Sequence, residues 1–366
     1  MGLESGKISN LQMTVLVIGL IFGTTLIIPP AKGAGHDAWI AVLIGVVEAL
    51  IVARVVTALG EMFIDKTAIE ISELVFGRFL GKVVCLMYLL TLFHILVLIA
   101  TVFTDFFTTE IYPNTPRLVV ISLGGAICAS AARRGIETIA RTTLVLVTLT
   151  LLIIISDSLM SISLMEINNI LPVLDISPGK LLFEAHSTAM FPLAQVVALA
   201  MVLPFLNHQK ARFAPVAIGT IIAGIFLALV AMRNSLVLGP LVTVFNYPTY
   251  TVLQIINIRD VFSRLEVLVT IFFIFMAYTK ASILLYCISL GTAQMCKLRS
   301  YYPLIIPTAV LVIVFCLTNV RNPVEYFDFV NKIYSIYSTI PLAVMPVLTL
   351  IIARLRKLPQ SQGVSR

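Results

Sequence analysis

Lys280 stands alone in the apolar run FFIFMAYTKASILLY, residues 272–286. An ammonium in such surroundings is costly, and a lysine so placed is a functional candidate by default. It can pair with a carboxylate, snorkel toward water, or fill a place where other proteins hold a cation. Glu48, in GVVEALIVAR (45–54), is one candidate partner, although a neighbour in its own segment would serve it as well. Lys280 and Glu48 are therefore the charges expected to couple a change of conformation to electrostatics. Two further stretches place hydroxyls beside residues that oppose a regular helix. Gly23, Thr24 and Thr25 lie in FGTTLIIPPAKGAG (22–35), and Ser187, Thr188 and Phe191 lie in HSTAMFPLAQ (186–195), just before Pro192. His94 reads as a hydrogen-bonded core residue. Enzyme motifs are absent: there is no H-E-x-x-H, G-x-S-x-G, C-x-x-C or P-loop, and GRFLGKV lacks the P-loop spacing and hydroxyl. Gly33 and Gly35 form part of G-x-G-x-x-A without a surrounding βαβ unit. The five cysteines have no paired spacing and read as small core residues. No catalytic residue, cofactor, metal site or disulfide is expected.

The elements that position these residues follow from composition. The 366 residues are 59% hydrophobic and 12% charged, with mean hydropathy +1.04; a soluble domain carries about 25% charged residues. Apolar runs of spanning length recur throughout, too continuous for barrel strands. With no water in the bilayer core to satisfy the backbone, such runs must be helices. Ten spans are expected, near 11–31, 37–58, 83–107, 117–132, 141–161, 182–206, 213–234, 264–291, 302–319 and 332–353. Stretches 162–181 and 235–263 are linkers, and 67–82 reads as a short helix at the membrane surface. The first run lacks a small-x-small cleavage site and continues into Pro29-Pro30, so it reads as structure rather than as a signal peptide.

Lysine and arginine give the orientation. With the N-terminus inside, sixteen fall on the inner side and eight on the outer, with Lys280 inside a span. Both termini are then cytoplasmic. Anionic lipid accounts for the net charge of +7 without any nucleic-acid partner.

The two hydroxyl-bearing stretches fall in corresponding places. Counting from Leu11 at about 1.5 Å per residue, Gly23 lies about 18 Å in, near the bilayer middle. The break before Pro192 lies at similar depth in span 6. Broken helices at spans 1 and 6 are what an inverted five-plus-five repeat predicts, here about 11–161 and 182–353. Unwound backbone at mid-membrane is tolerated where it lines a cavity or binds something. Half-helix N-termini there would point N–H groups at an anion, which suits the carboxylate of an amino acid. The competing reading of Gly19 and Gly23 is a helix-packing face, and of Pro192 a simple kink.

Three segments carry a family resemblance. KISNLQMTVLVIGLIFGTTLIIPPAKGAGHDAWIAVLIG (7–45), ARRGIETIARTT (132–143) and RLEVLVTIFFIFMAYTKASILLY (264–286) resemble the spore germinant-receptor B subunits of endospore-forming bacteria. The resemblance covers nearly the full length. It implies the amino acid–polyamine–organocation superfamily and its all-α, LeuT-like fold of ten transmembrane helices in a five-plus-five inverted repeat. It also implies a place in the spore inner membrane beside an A subunit and a lipoprotein C subunit, and binding of a small nutrient such as an amino acid. The superfamily's unwound segment of span 1 falls on Gly23, Thr24 and Thr25, and its span 6 break on Ser187 to Pro192. Gly-Thr-Thr replaces the G-x-G type signature of many transporters in the superfamily, which narrows the gap and adds hydroxyls. The expected pocket is thus Gly23, Thr24, Thr25, Ser187, Thr188 and Phe191, with Lys280 stabilising one state. The alternatives are a proton-coupled amino-acid transporter and a scaffold that binds no ligand.

Overall fold

The computed structural model describes residues 6–28, 30–207, 212–256, 265–319 and 329–359, without the side chains of 319, 331 and 332. Pro29, Lys210, Arg259, Arg264, Arg321 and Arg366, and the side chain of Lys332, lie outside the described residues. Everything described is helix, turn or loop, apart from one isolated parallel bridge between Ile8 and Leu206.

The helices are α1 (Asn10–Phe22), α2 (Ala38–Met62), α3 (Ala68–Phe76), α4 (Arg78–Phe106), α5 (Arg117–Arg133) and α6 (Gly135–Met160). They continue as α7 (Pro178–Met190), α8 (Phe213–Leu238), α9 (Pro248–Ile255), α10 (Glu266–Met295) and α11 (Tyr302–Asn319). The last, α12 (Ser335–Leu355), is entered through a π turn at Val330–Tyr334. Leaving out the short α3 and α9, these segments fall where the ten spans are expected. Six are long and apolar enough to cross a membrane unaided. The segments of α1 and α7 are interrupted, and α5 and α11 are shorter. The surface helix expected over 67–82 is confined to α3, because it ends at Gly77 and the chain starts α4 at once. The linker 235–263 contains a helix that periodicity alone did not suggest. Pro248 opens α9, its fixed φ suiting the first turn, and Tyr250, Val252 and Leu253 are buried.

α1 is the central element. Ser9 and Gln12 form a capping box at its start, and every residue from Met13 to Phe22 is buried. It packs against α8, α6 and α10. Main-chain bonds from Ile8 N–H to Phe205 O (2.8 Å) and from Asn207 N–H to Ile8 O (2.9 Å) tie its start to the end of the sixth segment. The two interrupted segments therefore form one core unit, with α2, α8 and α10 packed around them.

Candidate functional site

α1 stops at Gly23, whose φ of 27° is a conformation that favours glycine. The chain then makes tight turns: Ile27 and Ile28 both donate to Thr24 O (3.2 and 3.0 Å). The Thr25 hydroxyl folds back onto Ile21 O and Phe22 O (2.8 and 2.9 Å) and satisfies carbonyls that the helix end leaves free. Thr24 Oγ1 is buried and has no hydrogen-bond partner among the described residues.

The sixth segment breaks in the same way. α7 ends at Met190, and Phe191 is extended, with φ −135° and ψ 106°. The chain resumes as a 3₁₀ segment, Leu193–Met201, behind Pro192. The Tyr88 hydroxyl donates to Val197 O and Ala198 O (3.1 and 3.3 Å) and satisfies backbone carbonyls along the resumed segment.

Lys280 joins the two breaks. It is fully buried, and a Cβ placed on Gly23 would overlap its Cδ and lie 3.1 Å from its Nζ. The same Nζ is 5.5 Å from the centroid of the Phe191 ring and has no hydrogen-bond partner among the described residues. Gly23 and Phe191 are the C-terminal caps of α1 and α7. Helix C-termini carry partial negative charge, and an aromatic face attracts a cation. These two features offset part of the cost of an ammonium that has no carboxylate partner among the described residues.

This differs from expectation in two ways. The first break does not present a half-helix N-terminus to an anion, because the chain beyond Gly23 forms turns and a short 3₁₀ segment, Lys32–Asp37, rather than an α-helix. Glu48 is not the partner of Lys280. It is half-exposed and sits 2.8 Å from His186 Nδ1, while His186 Nε2 lies 2.9 Å from Thr339 Oγ1. Charges near the segment ends are paired as well. Asp157 pairs with Arg233 at 2.9 Å with both nearly fully buried, and Asp105 pairs with Arg117 at 2.8 Å. Arg233 also donates to Asn234 Oδ1, and Asn234 Nδ2 donates to Thr249 Oγ1 (3.0 Å), so the ends of α6, α8 and α9 are linked. In these pairs a charge near a segment end is buried against a neighbouring helix, which hydropathy along one chain cannot reveal.

Gly23, Thr24, Phe191 and Lys280 therefore cluster at the breaks. The Thr25 and Thr188 hydroxyls are spent on helix carbonyls, that of Thr188 on Glu184 O at 2.9 Å, and Thr188 packs against Gly45 of α2. Ser187 is half-buried one turn before the break, and its carbonyl accepts the Phe191 N–H (2.8 Å). Two residues join the cluster that sequence reasoning missed. Gln195 donates from Nε2 to the Tyr334 hydroxyl (3.1 Å), while its Oε1 has no partner among the described residues. Tyr334 stacks edge-on against Phe191 at 5.3 Å. A buried amide in an apolar run was the available signal for Gln195. His94 is a hydrogen-bonded core residue as expected: it bonds the Tyr337 hydroxyl within an aromatic group that includes Tyr334 and Phe329.

The profile of a family described as spore germination protein matches residues 7–324. The chain belongs to that family. It is similar over 360 residues to spore germination protein KB of Bacillus subtilis (strain 168), at 26% identity, covering 97% of this chain and 96% of the relative. Spore germination protein YndE of the same organism is 25% identical over 366 residues, covering 96% and 98%. Among solved structures, MhsT in complex with L-phenylalanine superposes with a TM-score of 0.68 at 16% identity, covering 96% of this chain and 89% of MhsT. Mhp1, a nucleobase-cation-symport-1 family transporter in a closed conformation with bromovinylhydantoin bound, gives 0.64 at 12% identity, covering 95% and 78%. At such identities these likenesses carry the fold alone. The chain is an integral membrane protein of the LeuT-like, five-plus-five fold with helices 1 and 6 broken, in a permease-like family rather than an enzyme family.

Proposed function

We propose that this chain is the nutrient-sensing subunit of a spore germination receptor, binding a small amino-acid-like nutrient between the two helix breaks. One observation carries the reading: buried polar groups without partners sit around one junction. Thr24 Oγ1 and Lys280 Nζ lie at the Gly23 break, and Gln195 Oε1 is held beside the Phe191 ring through Tyr334. Buried polar groups are ordinarily hydrogen-bonded, so unpaired ones at a helix break are candidates to meet a ligand. A zwitterion matches this set. Its carboxylate takes the ammonium of Lys280 and the Thr24 hydroxyl, its amino group takes Gln195 Oε1, and its side chain lies against Phe191. MhsT, solved in complex with L-phenylalanine, holds a ligand of this same class.

Binding there biases a rocking equilibrium only by the difference in affinity for its two states. The change passes to A and C subunits in the spore inner membrane, with both termini on the core side. The repeats that rock run about 11–161 and 182–353. The test is direct binding of an amino-acid panel to the full-length protein in nanodiscs, with Thr24→Val alongside. A ligand should bind, and Thr24→Val should weaken it about fivefold, the loss of one net hydrogen bond. Unchanged affinity would remove Thr24 from the site.

The transporter fold of the neighbours favours a second reading, a proton-coupled amino-acid transporter. Uptake into proteoliposomes that collapses with the pH gradient would support it, and bound ligand without flux supports sensing.

A further inference from the structure

A cavity lies away from the helix breaks, between α4, α5, α10 and α11. It is about 310 Å³ and apolar, walled by Gly124, Gly125 and Cys128 on one side and by Ala277, Tyr278 and Ala281 on another. Its mouth is formed by the exposed side chains of Ile127 and Ile274, which in a membrane-spanning segment face lipid. The two glycines supply the room. A Cβ at Gly124 would touch just the Phe103 ring at 3.6 Å, so the slot is space between side chains rather than a helix contact.

At one end this slot adjoins a second, partly polar hollow of about 430 Å³ that shares Ile127 and Tyr278 with it. The hollow is lined by Arg134 together with the hydroxyl residues Ser130, Thr138 and Thr142. Arg134 is exposed, and the nearest carboxylate in sequence, Glu137, is taken by Arg141. No ion pair involves Arg134 among the described residues. Gly135 starts α6 beside it, so this end stands at a helix-to-helix turn, where the chain leaves the hydrocarbon. From Ile121, which also lines the slot, to Arg134 is thirteen residues along α5, about 20 Å. One leaflet's hydrocarbon is about 15 Å deep.

We propose that the slot and the hollow together bind one anionic phospholipid, with an acyl chain between α5 and α10 and the phosphate on Arg134. The charge at the end of the slot selects the occupant. Phosphatidylcholine would fill the slot equally well, but its own choline cation offsets the phosphate charge that Arg134 meets, whereas an anionic phospholipid brings a phosphate with no such cation and gives the guanidinium a stronger charge-assisted bond. The Ser130 hydroxyl is at hand, while those of Thr138 and Thr142 already donate to Arg134 O and Thr138 O. The back wall gives the site a consequence. Ala277 and Ala281 line the slot on α10, and Lys280 leaves the same helix turn toward Gly23. A lipid seated there touches the helix that carries the buried ammonium.

The test uses the full-length protein, reconstituted with equal phosphatidylglycerol and phosphatidylcholine, extracted gently, and examined for retained lipid by native mass spectrometry. Wild type should retain phosphatidylglycerol in preference. Arg134→Gln should lower that preference about fivefold, the effect of one arginine at an anionic surface. Arg133→Gln, next to it but not lining the hollow, should leave it unchanged. Gly124→Leu should reduce retention of both lipids by filling the slot. Equal retention of the two lipids by wild type overturns the proposal, as does an equal fall for Arg133→Gln and Arg134→Gln, which would indicate diffuse surface charge. The wild-type comparison and the arginine pair decide the matter even if Gly124→Leu does not fold.

Discussion

Gly23 is required twice over, by its backbone and by its missing side chain. With φ at 27°, an L side chain is strained, and its Cβ would overlap the Lys280 Cδ. Gly23→Ala should therefore destabilise the protein by about 1–3 kcal/mol, the usual cost of a residue forced into a sparse conformation. It should also displace Lys280 from Phe191. Thermal unfolding in detergent and ligand binding on the same sample would register both effects, and a variant as stable as wild type would mean that the break relaxes freely. Lys280 poses the opposite problem. Its Nζ lacks a hydrogen-bond partner among the described residues, so replacing it with an apolar residue of similar length removes a desolvated charge. Lys280→Met should leave stability equal or higher while ligand affinity falls about tenfold or more, because a carboxylate would lose its counter-charge. Loss of stability with unchanged affinity would assign the lysine a structural role alone.

Among elements, the ends of α6 and α8 are joined by Asp157 and Arg233. Breaking a buried pair from one side leaves an unmet charge, at a cost of about 3–5 kcal/mol. Asp157→Asn should approach that cost, whereas the double change Asp157→Leu with Arg233→Met should recover most of it. A double-mutant cycle followed by thermal unfolding would measure the coupling, and simple additivity would show that the two residues act independently. Glu48, His186 and Thr339 form a half-exposed tie between α2, α7 and α12, and the segment of α12 also carries Tyr334 and Tyr337. That segment thus touches both the sixth-segment break and His94, which makes it the element best placed to report a change at the junction.

For the whole molecule, the proposed ligand would drive either flux or a signal. The N-terminal strand-like contact of Ile8 with Phe205 and Asn207 ties the two broken segments at one end, and the α6–α8–α9 network ties neighbouring helices at another. A ligand at the junction lies between these ties. If the chain senses, radiolabelled amino acid should bind to proteoliposomes without accumulating inside, whatever the pH gradient. Accumulation that is abolished by collapsing the gradient would place the protein among working transporters.

Class, spans and the location of both breaks were legible in the sequence. Hydrophobic runs of spanning length have one backbone solution in lipid, and Gly23 and Pro192 oppose that solution at fixed places along the chain. The lone lysine in FFIFMAYTKASILLY was legible for the same reason, since apolar surroundings make a charge conspicuous. Which residues meet was not legible. Glu48 and Lys280 are both intramembrane charges, yet helix rotation turns one to His186 and the other to Gly23 and Phe191. Thr25 and Thr188 look like pocket hydroxyls until their helix carbonyls claim them, and Gln195 and Tyr334 lie 139 residues apart until the last segment folds against the resumed sixth one. Spacing along one helix sets a face. Which partner that face meets depends on how helices distant in sequence pack, and this was decided by the tertiary structure.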